Sequence, residues 1–331
     1  MAKKREKSNK PLRKGYTTGL HASFAFKSAF EAFLVTKTTA TSITHKMDND
    51  DLDVTKGCEI VVSVSDKFEN IALNKIPHKP YIIGNLHLFA GVGVGVVTKN
   101  GLRPPKGYPA INPTPLKAIE EIYRRFNFRE NFTLYATISV SNGEKLAKQT
   151  ANAKVGVLGG ISILGTTGYV KPISATAYME SIKTELQVAK SNGHTRAVLT
   201  LGNSSFAYAK EHYDEIEIVE IGNFVYDALE MVSSLEFDEA IFVCGIGKAT
   251  KVMQGCKNTH NRFGSIDFVA LQKQIEDAFG MVVDIESTKT VKGITQQFEE
   301  STGFYKLVSD KTDEQLNSWF KQTKIKTIIL R

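Results

Sequence analysis

Glycine and threonine are concentrated in one stretch, Val155 to Ile173, which reads VGVLGGISILGTTGYVKPI. An apolar strand leads to Gly159-Gly160, and a second apolar patch leads to Gly165-Thr166-Thr167-Gly168, after which a helix is predicted from about Ser174. Glycine permits positive φ and close backbone approach, while N–H groups and Thr hydroxyls donate hydrogen bonds to phosphate, carboxylate or ribose. The stretch is therefore either a ligand-binding turn or a tight connection that needs glycine for geometry alone.

A second Thr-Thr-Gly sequence lies at Gly15 to Gly19, before a helix predicted over Leu20 to Val35. Thr17 and Thr18 occupy the capping positions of that helix. The first turn of a helix combines N–H groups without intrahelical acceptors with the positive end of the dipole, so it can hold an anion. Plain N-capping explains the same residues, and both interpretations stay open.

Ionisable candidates are found in two further segments. Asp48 to Asp53 is acidic and follows Lys46; such a run is usually a solvated loop, but it can also supply carboxylates to ribose hydroxyls or to a cationic centre. His260 follows Asn258-Thr259 in a loop and is either an acid–base group or a structural residue.

Several common site patterns are absent from the sequence. Gly160 to Thr167 has the form GxxxxGTT, in which Thr166 stands where a P-loop has its phosphate-binding Lys, and no GxGxxG or GxSxG pattern suits the predicted strands. The three cysteines show no CxxC spacing, so we expect reduced thiols and no metal site. From the residues alone we infer a two-domain enzyme that binds a nucleoside-like cofactor and an anionic substrate.

Strands and helices alternate regularly in the second half of the chain. Strands are predicted at Val155–Leu158, Ala197–Leu201, Ile216–Ile221 and Ala240–Val243, with helices at about 174–192, 205–212 and 224–234. This alternation indicates βαβ units in a parallel sheet, and each strand ends in glycine, at Gly159-Gly160, Gly202-Asn203, Gly222-Asn223 and Gly245 with Gly247. Because ligands of open parallel sheets bind beyond the carboxyl ends of the strands, we expect these glycines to line a site.

The first half is less regular. Gly91 to Thr98 alternates Gly with Val, which leaves one face of a strand open to another backbone or to a flat ligand. Five of the nine prolines lie between Leu102 and Pro115, and they predict a rigid loop that delivers Asn112 and a helix over Leu116–Arg125. Strands are expected at Glu59–Ser65 and Phe132–Val140, and the domain boundary at about Ala151.

Length and charge set further limits. With 331 residues, 42% of them hydrophobic, the chain suits two globular domains. Of the net charge of +7, residues 1–14 contribute seven Lys and Arg against Glu6, which is 7 − 1 = +6. We interpret residues 1–14 as a solvated, disordered tail, with binding of acidic partners as the alternative. No leader or membrane segment is visible, so a cytoplasmic location is expected.

Five motifs in order closely resemble the cobalt-precorrin-5B C(1)-methyltransferase family of anaerobic cobalamin biosynthesis. They are GYTTG at 15–19, KMDNDDLDVTKG at 46–57, GVGVGVVTKNGLRPPKGYPAINPTP at 91–115, GGISILGTTGYVKPIS at 159–174 and KNTH at 257–260. The resemblance spans nearly the whole chain beyond the basic tail. It implies transfer of a methyl group from S-adenosyl-L-methionine to ring carbon 1 of cobalt-precorrin-5B, a cobalt tetrapyrrole, to give cobalt-precorrin-6A.

The resemblance also implies a fold and a division of the site. The fold is α+β and α/β: an α+β domain at 15–151, like a permuted ribosomal-protein S5 domain 2, on the substrate side, and a parallel-sheet α/β domain at 152–331 on the cofactor side. The cofactor is assigned to Gly159, Gly160, Gly165, Thr166, Thr167, Gly168, Gly202 and Asn203. Substrate contacts are assigned to Thr17, Thr18, Gly19, Lys46, Asp50, Asp53, Lys99, Arg103, Asn112, Asn258 and Thr259, and His260 is the candidate for handling a proton.

Two departures from the family pattern bear on the substrate. His21 stands where the family commonly has Cys, and Cys244-Gly245 stands where Gly-His is common. We expect a small-molecule tetrapyrrole partner, no nucleic-acid or membrane partner and no metal ligated by the chain; a homodimer is left open. The alternative is a non-catalytic paralogue that binds a tetrapyrrole or RNA.

Overall fold

The computed structural model describes residues 13–50, 53–126, 131–165, 168–170, 174–288 and 290–331. The chain divides into two compact units, residues 1–175 and 176–331. The boundary expected at about Ala151 was placed too early. The segment after it pairs with strands of the first unit, so residues 152–175 belong to that unit rather than to the second.

The first unit mixes short strands with three helices among its described residues. Its elements are β1 Gly15–Tyr16, α1 Thr18–Thr36, β2 Ala40–His45, β3 Glu59–Ser65, β4 Tyr81–Ile83, β5 Leu86–Ala90, β6 Gly93–Val94, β7 Val96–Val97, α2 Pro113–Arg125, β8 Leu134–Val140, α3 Gly143–Ala147, β9 Val157–Leu158, β10 Gly160–Ile161 and β11 Tyr169–Val170. Strand β3 has the predicted bounds, and α1, α2 and β8 agree with their predictions to within three residues.

One five-stranded sheet forms the core of the first unit. Its order is β2-β3-β8-β5-β4, with β5 parallel to β8 and the other neighbours antiparallel. Helix α1 buries the apolar face predicted from its spacing, including Phe26, Phe30 and Phe33, against this sheet. Burial of this face is the main reason that α1 is held in place.

The Gly-Val segment is a place of close backbone contact. Strand β6 runs parallel to β10 with Gly93 opposite Gly160, and a Cβ on Gly160 would overlap the Gly93 carbonyl group. A Cβ on Gly143, the first residue of α3, would overlap the same carbonyl. Of the two alternatives for this strand, the structure therefore shows another backbone on its open face, because only glycine allows three backbone segments to approach so closely.

The second unit is an α/β layer structure. Its elements are α4 Ala175–Ser191, β12 Arg196–Thr200, α5 Asn203–His212, β13 Ile218–Glu220, α6 Val225–Ser234, β14 Glu239–Gly245, α7 Ile246–Met253, α8 Phe268–Phe279, α9 Val291–Thr295, α10 Thr302–Trp319 and β15 Lys324–Leu330. The sheet has the order β13-β12-β14-β15 and all of its strand pairs are parallel, as the alternating pattern predicted.

One predicted strand of that sheet was wrong. The apolar run at Val155–Leu158 forms β9, which pairs antiparallel with β7 of the first unit, and β10 after it pairs with β6. A short apolar run between glycines does not reveal which sheet it joins, because that depends on partners distant in sequence. Along the part of the chain that the structure describes, no helix is both long enough and apolar enough to span a membrane.

Candidate functional sites in the two units

Leu164 and Gly168, on either side of the second Thr-Thr pair, lie against the Gly15–Gly19 segment in the first unit. The Thr17 N–H donates to the Gly168 carbonyl oxygen at 3.0 Å, and the Gly19 N–H donates to that of Leu164 at 2.8 Å. The Thr17 hydroxyl caps α1 by accepting from the Leu20 N–H at 3.2 Å, and the Leu164 N–H donates to the Thr18 hydroxyl at 2.9 Å. The protein itself uses the donors of this helix end, so the capping interpretation describes it.

The glycines of the 159–168 segment, which were expected to hold the cofactor, differ in the room that a side chain would have at each position. A Cβ on Gly159 would stand 2.7 Å from the Asn74 amide oxygen, and one on Gly165 would overlap the Thr17 hydroxyl. Asn74 donates to the carbonyl oxygens of Val94 and Gly159, at 2.7 and 2.9 Å. Only at Gly168 is the space nearly open, and Thr166 and Thr167 lie outside the described residues. Glycine here mainly permits close contact with protein groups.

Aromatic side chains form an exposed surface beside the capped end of α1. Tyr16 and Tyr169 face each other across the β1–β11 pair with ring centroids 5.4 Å apart, and Tyr16 lies 6.4 Å from Phe24. Phe24 is 48% exposed and Tyr169 54% exposed. We call these three residues the aromatic shelf. Its rings offer a flat ligand an apolar surface at low entropic cost.

The acidic segment divides into an exposed pair and a buried pair. Asp48 and Asp50 bind the guanidinium of Arg13 at the surface. Asp50 also accepts from the Arg13 backbone N–H at 2.7 Å, and this bond, followed by those from the guanidinium, keeps the pKa of Asp50 below its usual range. Lys46 is 4% exposed, and its ammonium donates to Asp53 and to the Thr55 hydroxyl.

Burial alone would raise the pKa of the Asp53 carboxyl, but hydrogen bonds from Lys46 and Thr55 outweigh it and lower that pKa. Lys46 and Asp53, both expected at the substrate, therefore satisfy each other inside the unit.

His21 lies close to the same buried group. It is 6% exposed, and its Nε2 accepts from the Met47 N–H at 3.3 Å. Burial, together with the charge of Lys46, lowers the pKa of His21. A neutral imidazole with its proton on Nδ1 follows from this arrangement.

The other expected substrate residues of the first unit are spread over one long loop. The Lys99 ammonium donates to the Lys154 carbonyl oxygen at 3.1 Å, and Arg103 is exposed. Asn112 precedes α2, and its N–H donates to the Ile163 carbonyl oxygen at 3.0 Å, although its side chain does not cap the helix. The loop is thus tied to the 154–163 segment through Lys99 and Asn112.

In the second unit, the carboxyl ends of the parallel strands are open. Gly202, between β12 and α5, has φ of 99°, and a Cβ on it would meet nothing within 4 Å. A Cβ would likewise meet nothing within 4 Å on Gly245, the last residue of β14, or on Gly247, the second residue of α7, and Asn203 is exposed at the start of α5. Tyr178 of α4 lies over Gly222, with its hydroxyl donating to the Glu220 carbonyl oxygen at 2.9 Å. We call this region the open sheet edge.

Two lysines lie at the same edge. The Lys248 ammonium donates to the Asn223 amide oxygen at 2.9 Å and to the Thr259 carbonyl oxygen at 3.1 Å. Lys251, 6% exposed, donates to that carbonyl at 3.2 Å, to the Asn261 amide oxygen at 2.8 Å and to the Gly264 carbonyl oxygen at 2.9 Å. Thr259 is fully buried and its hydroxyl donates to Asn223 at 3.0 Å. Thr259, expected at the substrate, therefore organises the loop from inside.

His260 and Asn258 flank that threonine. Asn258 accepts from the His260 N–H at 3.0 Å, and Nδ1 of His260 accepts from the Arg262 N–H at 3.2 Å. His260 is exposed, and its accepting Nδ1 places the proton of the neutral ring on Nε2. That Nε2 is the atom through which His260 is available to a ligand.

Sequence reasoning missed the aromatic shelf and the role of the lysines. The signals were present: Tyr16 and Tyr169 stand beside mirrored motifs, GYTTG and GTTGY, as an antiparallel pairing requires. No Asp or Glu stands between Glu239 and Asp267, whereas Lys248, Lys251, Lys257 and Arg262 do. Either pattern would have pointed to a site.

Fold and site geometry together define a mixed α/β protein in which a parallel sheet has glycines at the carboxyl ends of its strands. The model of the CbiD family matches residues 31–172. The cobalt-precorrin-5B C(1)-methyltransferase of Geobacillus thermodenitrificans is 33% identical, over 89% of this chain and 84% of the relative. The enzyme of the same name from Methanocaldococcus jannaschii is 32% identical, over 85% and 76%.

The chain belongs to the CbiD family, whose curated members carry that methyltransferase name. A solved structure of the cobalamin biosynthesis protein CbiD from Archaeoglobus fulgidus is 24% identical, covers 76% of this chain and 83% of its own, and superposes with a TM-score of 0.34. The family resemblance inferred from the five motifs is confirmed. Methylation implies that a methyl donor binds to the protein.

Proposed function

We propose that this chain transfers a methyl group from S-adenosyl-L-methionine to ring carbon 1 of cobalt-precorrin-5B and thereby forms cobalt-precorrin-6A. The observation that carries the proposal is the 33% identity over 89% of the chain to an enzyme with that name. The motifs at 15–19, 91–115 and 159–174 all lie in the first unit.

We assign the methyl donor to the open sheet edge of the second unit. Gly202, Gly245 and Gly247 leave room for a ligand, and Tyr178 offers an aromatic ring of the kind that stacks on adenine. Asn203 and the N–H groups that begin α5 supply donors for ribose or carboxylate oxygens. These features favour the second unit over the 159–168 segment, where protein groups occupy the space before Gly159, Gly160 and Gly165.

We assign the tetrapyrrole to the first unit. The aromatic shelf provides an apolar surface for a flat ring system, and Arg103 and Lys99 lie on the loop whose family motif is among the most specific. In this proposal Lys46 and Asp53 do not touch the substrate but hold the loop next to the shelf in place. The unit corresponds, in the same proposal, to a permuted relative of ribosomal-protein S5 domain 2.

Methyl transfer requires that the donor and the acceptor carbon are positioned in line, and it does not require a residue that forms a covalent intermediate. A sulfonium supplies an activated methyl group, and its in-line placement against a nucleophilic carbon provides a large part of the rate enhancement, up to about 7–11 kcal/mol. The residues at the two sites bind and orient their ligands. His260, through Nε2, is the residue we assign to accept or relay a proton.

The direct test is turnover of cobalt-precorrin-5B with S-adenosyl-L-methionine by the full chain, followed by mass spectrometry. Formation of a product heavier by one methyl group supports the proposal. If the protein binds the tetrapyrrole but neither binds S-adenosylhomocysteine nor forms product, the chain is instead a non-catalytic tetrapyrrole-binding paralogue.

The location of the donor is tested separately by calorimetry with S-adenosylhomocysteine. Gly247→Val should abolish binding without loss of fold, because the side chain enters open space. Gly168→Ala is the corresponding variant in the first unit, and because the φ of 77° at Gly168 favours glycine, its folding is checked by denaturant unfolding. Loss of binding in Gly168→Ala but not in Gly247→Val would return the donor to the 159–168 segment. A Gly165 variant is unsuitable, because its side chain would displace the Thr17 cap.

A further inference from the structure

Among the residues that the structure describes, the two lysines of the open sheet edge have no acidic partner. Lys248 and Lys251 have all their hydrogen bonds with uncharged oxygens: the amides of Asn223 and Asn261 and the carbonyls of Thr259 and Gly264. No carboxylate in the described ranges forms an ion pair with either ammonium group. A buried lysine is ordinarily paired with an acid, so two neighbouring positive charges with neutral acceptors are unusual.

The surrounding chain adds positive charge and no negative charge. Lys257 lies with its ammonium 3.9 Å from the ring centroid of Tyr226, and Arg262 stacks on Phe263, so both cations remain in this loop. Between Glu239 and Asp267 the sequence has no acidic residue at all. Burial and the nearby charge of Lys251 lower the pKa of Lys248.

Lys248 differs from Lys251 in its access to the surface. Lys251 is buried and makes three hydrogen bonds, whereas Lys248 is partly exposed and makes two, which leaves one ammonium proton for a further acceptor. Lys248 is the third residue of α7, so it stands at the positive end of that helix. The cap residue Gly245 has no side chain to accept from the first turn, and the space before Gly245 and Gly247 is open.

We propose that Lys248 and the first turn of α7 form a carboxylate-binding site that is completed only when a ligand of the enzyme is bound. A carboxylate fits because its two oxygens can accept from the ammonium group and from a backbone N–H at once. The identity of the carboxylate depends on the function proposed above: it belongs either to the amino-acid part of the methyl donor or to an acidic side chain of the tetrapyrrole.

The experiment compares ligands with and without the carboxylate on the full chain. S-adenosylhomocysteine carries the amino-acid carboxylate, 5′-methylthioadenosine lacks it, and uroporphyrin is a tetrapyrrole with carboxylate side chains. Each is titrated into the wild-type protein, Lys248→Gln, Lys248→Arg and Lys273→Gln. Lys273 is an exposed lysine of α8 and serves as the control for removal of one positive charge.

If the site binds the carboxylate of the donor, Lys248→Gln should weaken the binding of S-adenosylhomocysteine on the order of ten-fold, the usual effect of losing one charged hydrogen bond. The affinity for 5′-methylthioadenosine should be unchanged. If the carboxylate belongs to the tetrapyrrole, only the affinity for uroporphyrin should fall, by a similar factor. In either case Lys248→Arg should restore most of the affinity, and Lys273→Gln should have no effect. Arginine keeps the charge, so its rescue separates lost charge from a disturbed loop.

Three results overturn the site. Wild-type protein that binds these ligands with affinities that Lys248→Gln does not change refutes the carboxylate site and leaves the proposed methyl transfer intact. Equal weakening of 5′-methylthioadenosine and S-adenosylhomocysteine shows that Lys248 supports the loop and does not contact a carboxylate. Wild-type protein that binds none of the ligands refutes this site together with the proposed function.

Discussion

Two sets of glycines, one in each unit, serve opposite purposes. In the first unit, Gly93, Gly143 and Gly160 bring three backbone segments into contact, and any side chain there would overlap a carbonyl group. In the second unit, Gly245 and Gly247 face open space beyond the end of a parallel strand. Glycine-rich motifs thus mark either a place where the chain closes on itself or a place where it admits a ligand. The comparison predicts that substitutions in the first unit cost stability and those in the second cost binding.

The largest effect is expected for Gly160→Ala. Its Cβ would overlap the Gly93 carbonyl group, and neither backbone segment can move without breaking the β6–β10 pair. We expect a loss of about 3 kcal/mol or more in the free energy of unfolding. Denaturant unfolding of the purified variant measures it. A stability equal to that of the wild type would show that the backbone contact is looser than the structure has it.

The buried ion pair of the first unit gives an effect of similar size. Asp53→Asn leaves the Lys46 ammonium buried without its counter-ion, which we expect to cost about 3–5 kcal/mol. Asp50→Asn is the control, because Asp50 pairs with Arg13 at the surface and its loss should not measurably change the melting temperature. Equal melting temperatures for the two variants would contradict the assignment of Lys46 and Asp53 to the interior.

The same pair predicts a pH dependence. The pKa of Asp53 is lower in the folded protein than its usual value, so the folded state binds this proton less readily than the unfolded chain. The stabilisation is complete above the ordinary pKa of Asp, near 3.8, and is lost as the pH falls through the lower folded value. Urea unfolding of the wild type between pH 5 and 2 should show this loss, and Asp53→Asn should have a shallower dependence in that range.

An intermediate effect on binding is expected at the aromatic shelf. Phe24→Ala should weaken the binding of uroporphyrin on the order of ten-fold, because it removes one ring of the apolar surface. The stability of the variant should change little. Phe68→Ala is a matched control: Phe68 is a phenylalanine of the same unit that is 46% exposed, against 48% for Phe24. Fluorescence titration measures both. Similar losses in the two variants would mean that the shelf has no special role.

The smallest effect on stability is expected for Gly247→Ala. Alanine fits a helix better than glycine, by about 0.5–1 kcal/mol, and its Cβ meets nothing within 4 Å. The variant should therefore unfold at or slightly above the wild-type midpoint, while S-adenosylhomocysteine binds more weakly. If Gly247→Ala is less stable than the wild type, the proposed contrast between glycines that stabilise the first unit and glycines that admit a ligand in the second is wrong.

Much of the fold was predictable because it depends on local periodicity. The apolar face of α1, the strand Glu59–Ser65 and the alternating strands and helices after residue 196 can be identified from neighbouring residues alone. The segment at 155–173 was not assigned to the correct unit. Its strands are short and apolar, and their partners lie 60 or more residues away in sequence, at β6, β7 and β1.

The candidate sites also divide into features that the sequence predicts and features that depend on the tertiary structure. The sequence by itself determined the family, through motifs that need no folding to be compared, and it placed glycines at the ends of the parallel strands. Tertiary structure alone decided that Lys46 is neutralised by Asp53, that Tyr16 faces Tyr169, and that Lys248 donates to uncharged oxygens in the described part of the chain. A residue type determines which interactions are available to it, but its neighbours in space determine which are already satisfied. Only the unsatisfied ones remain for a ligand.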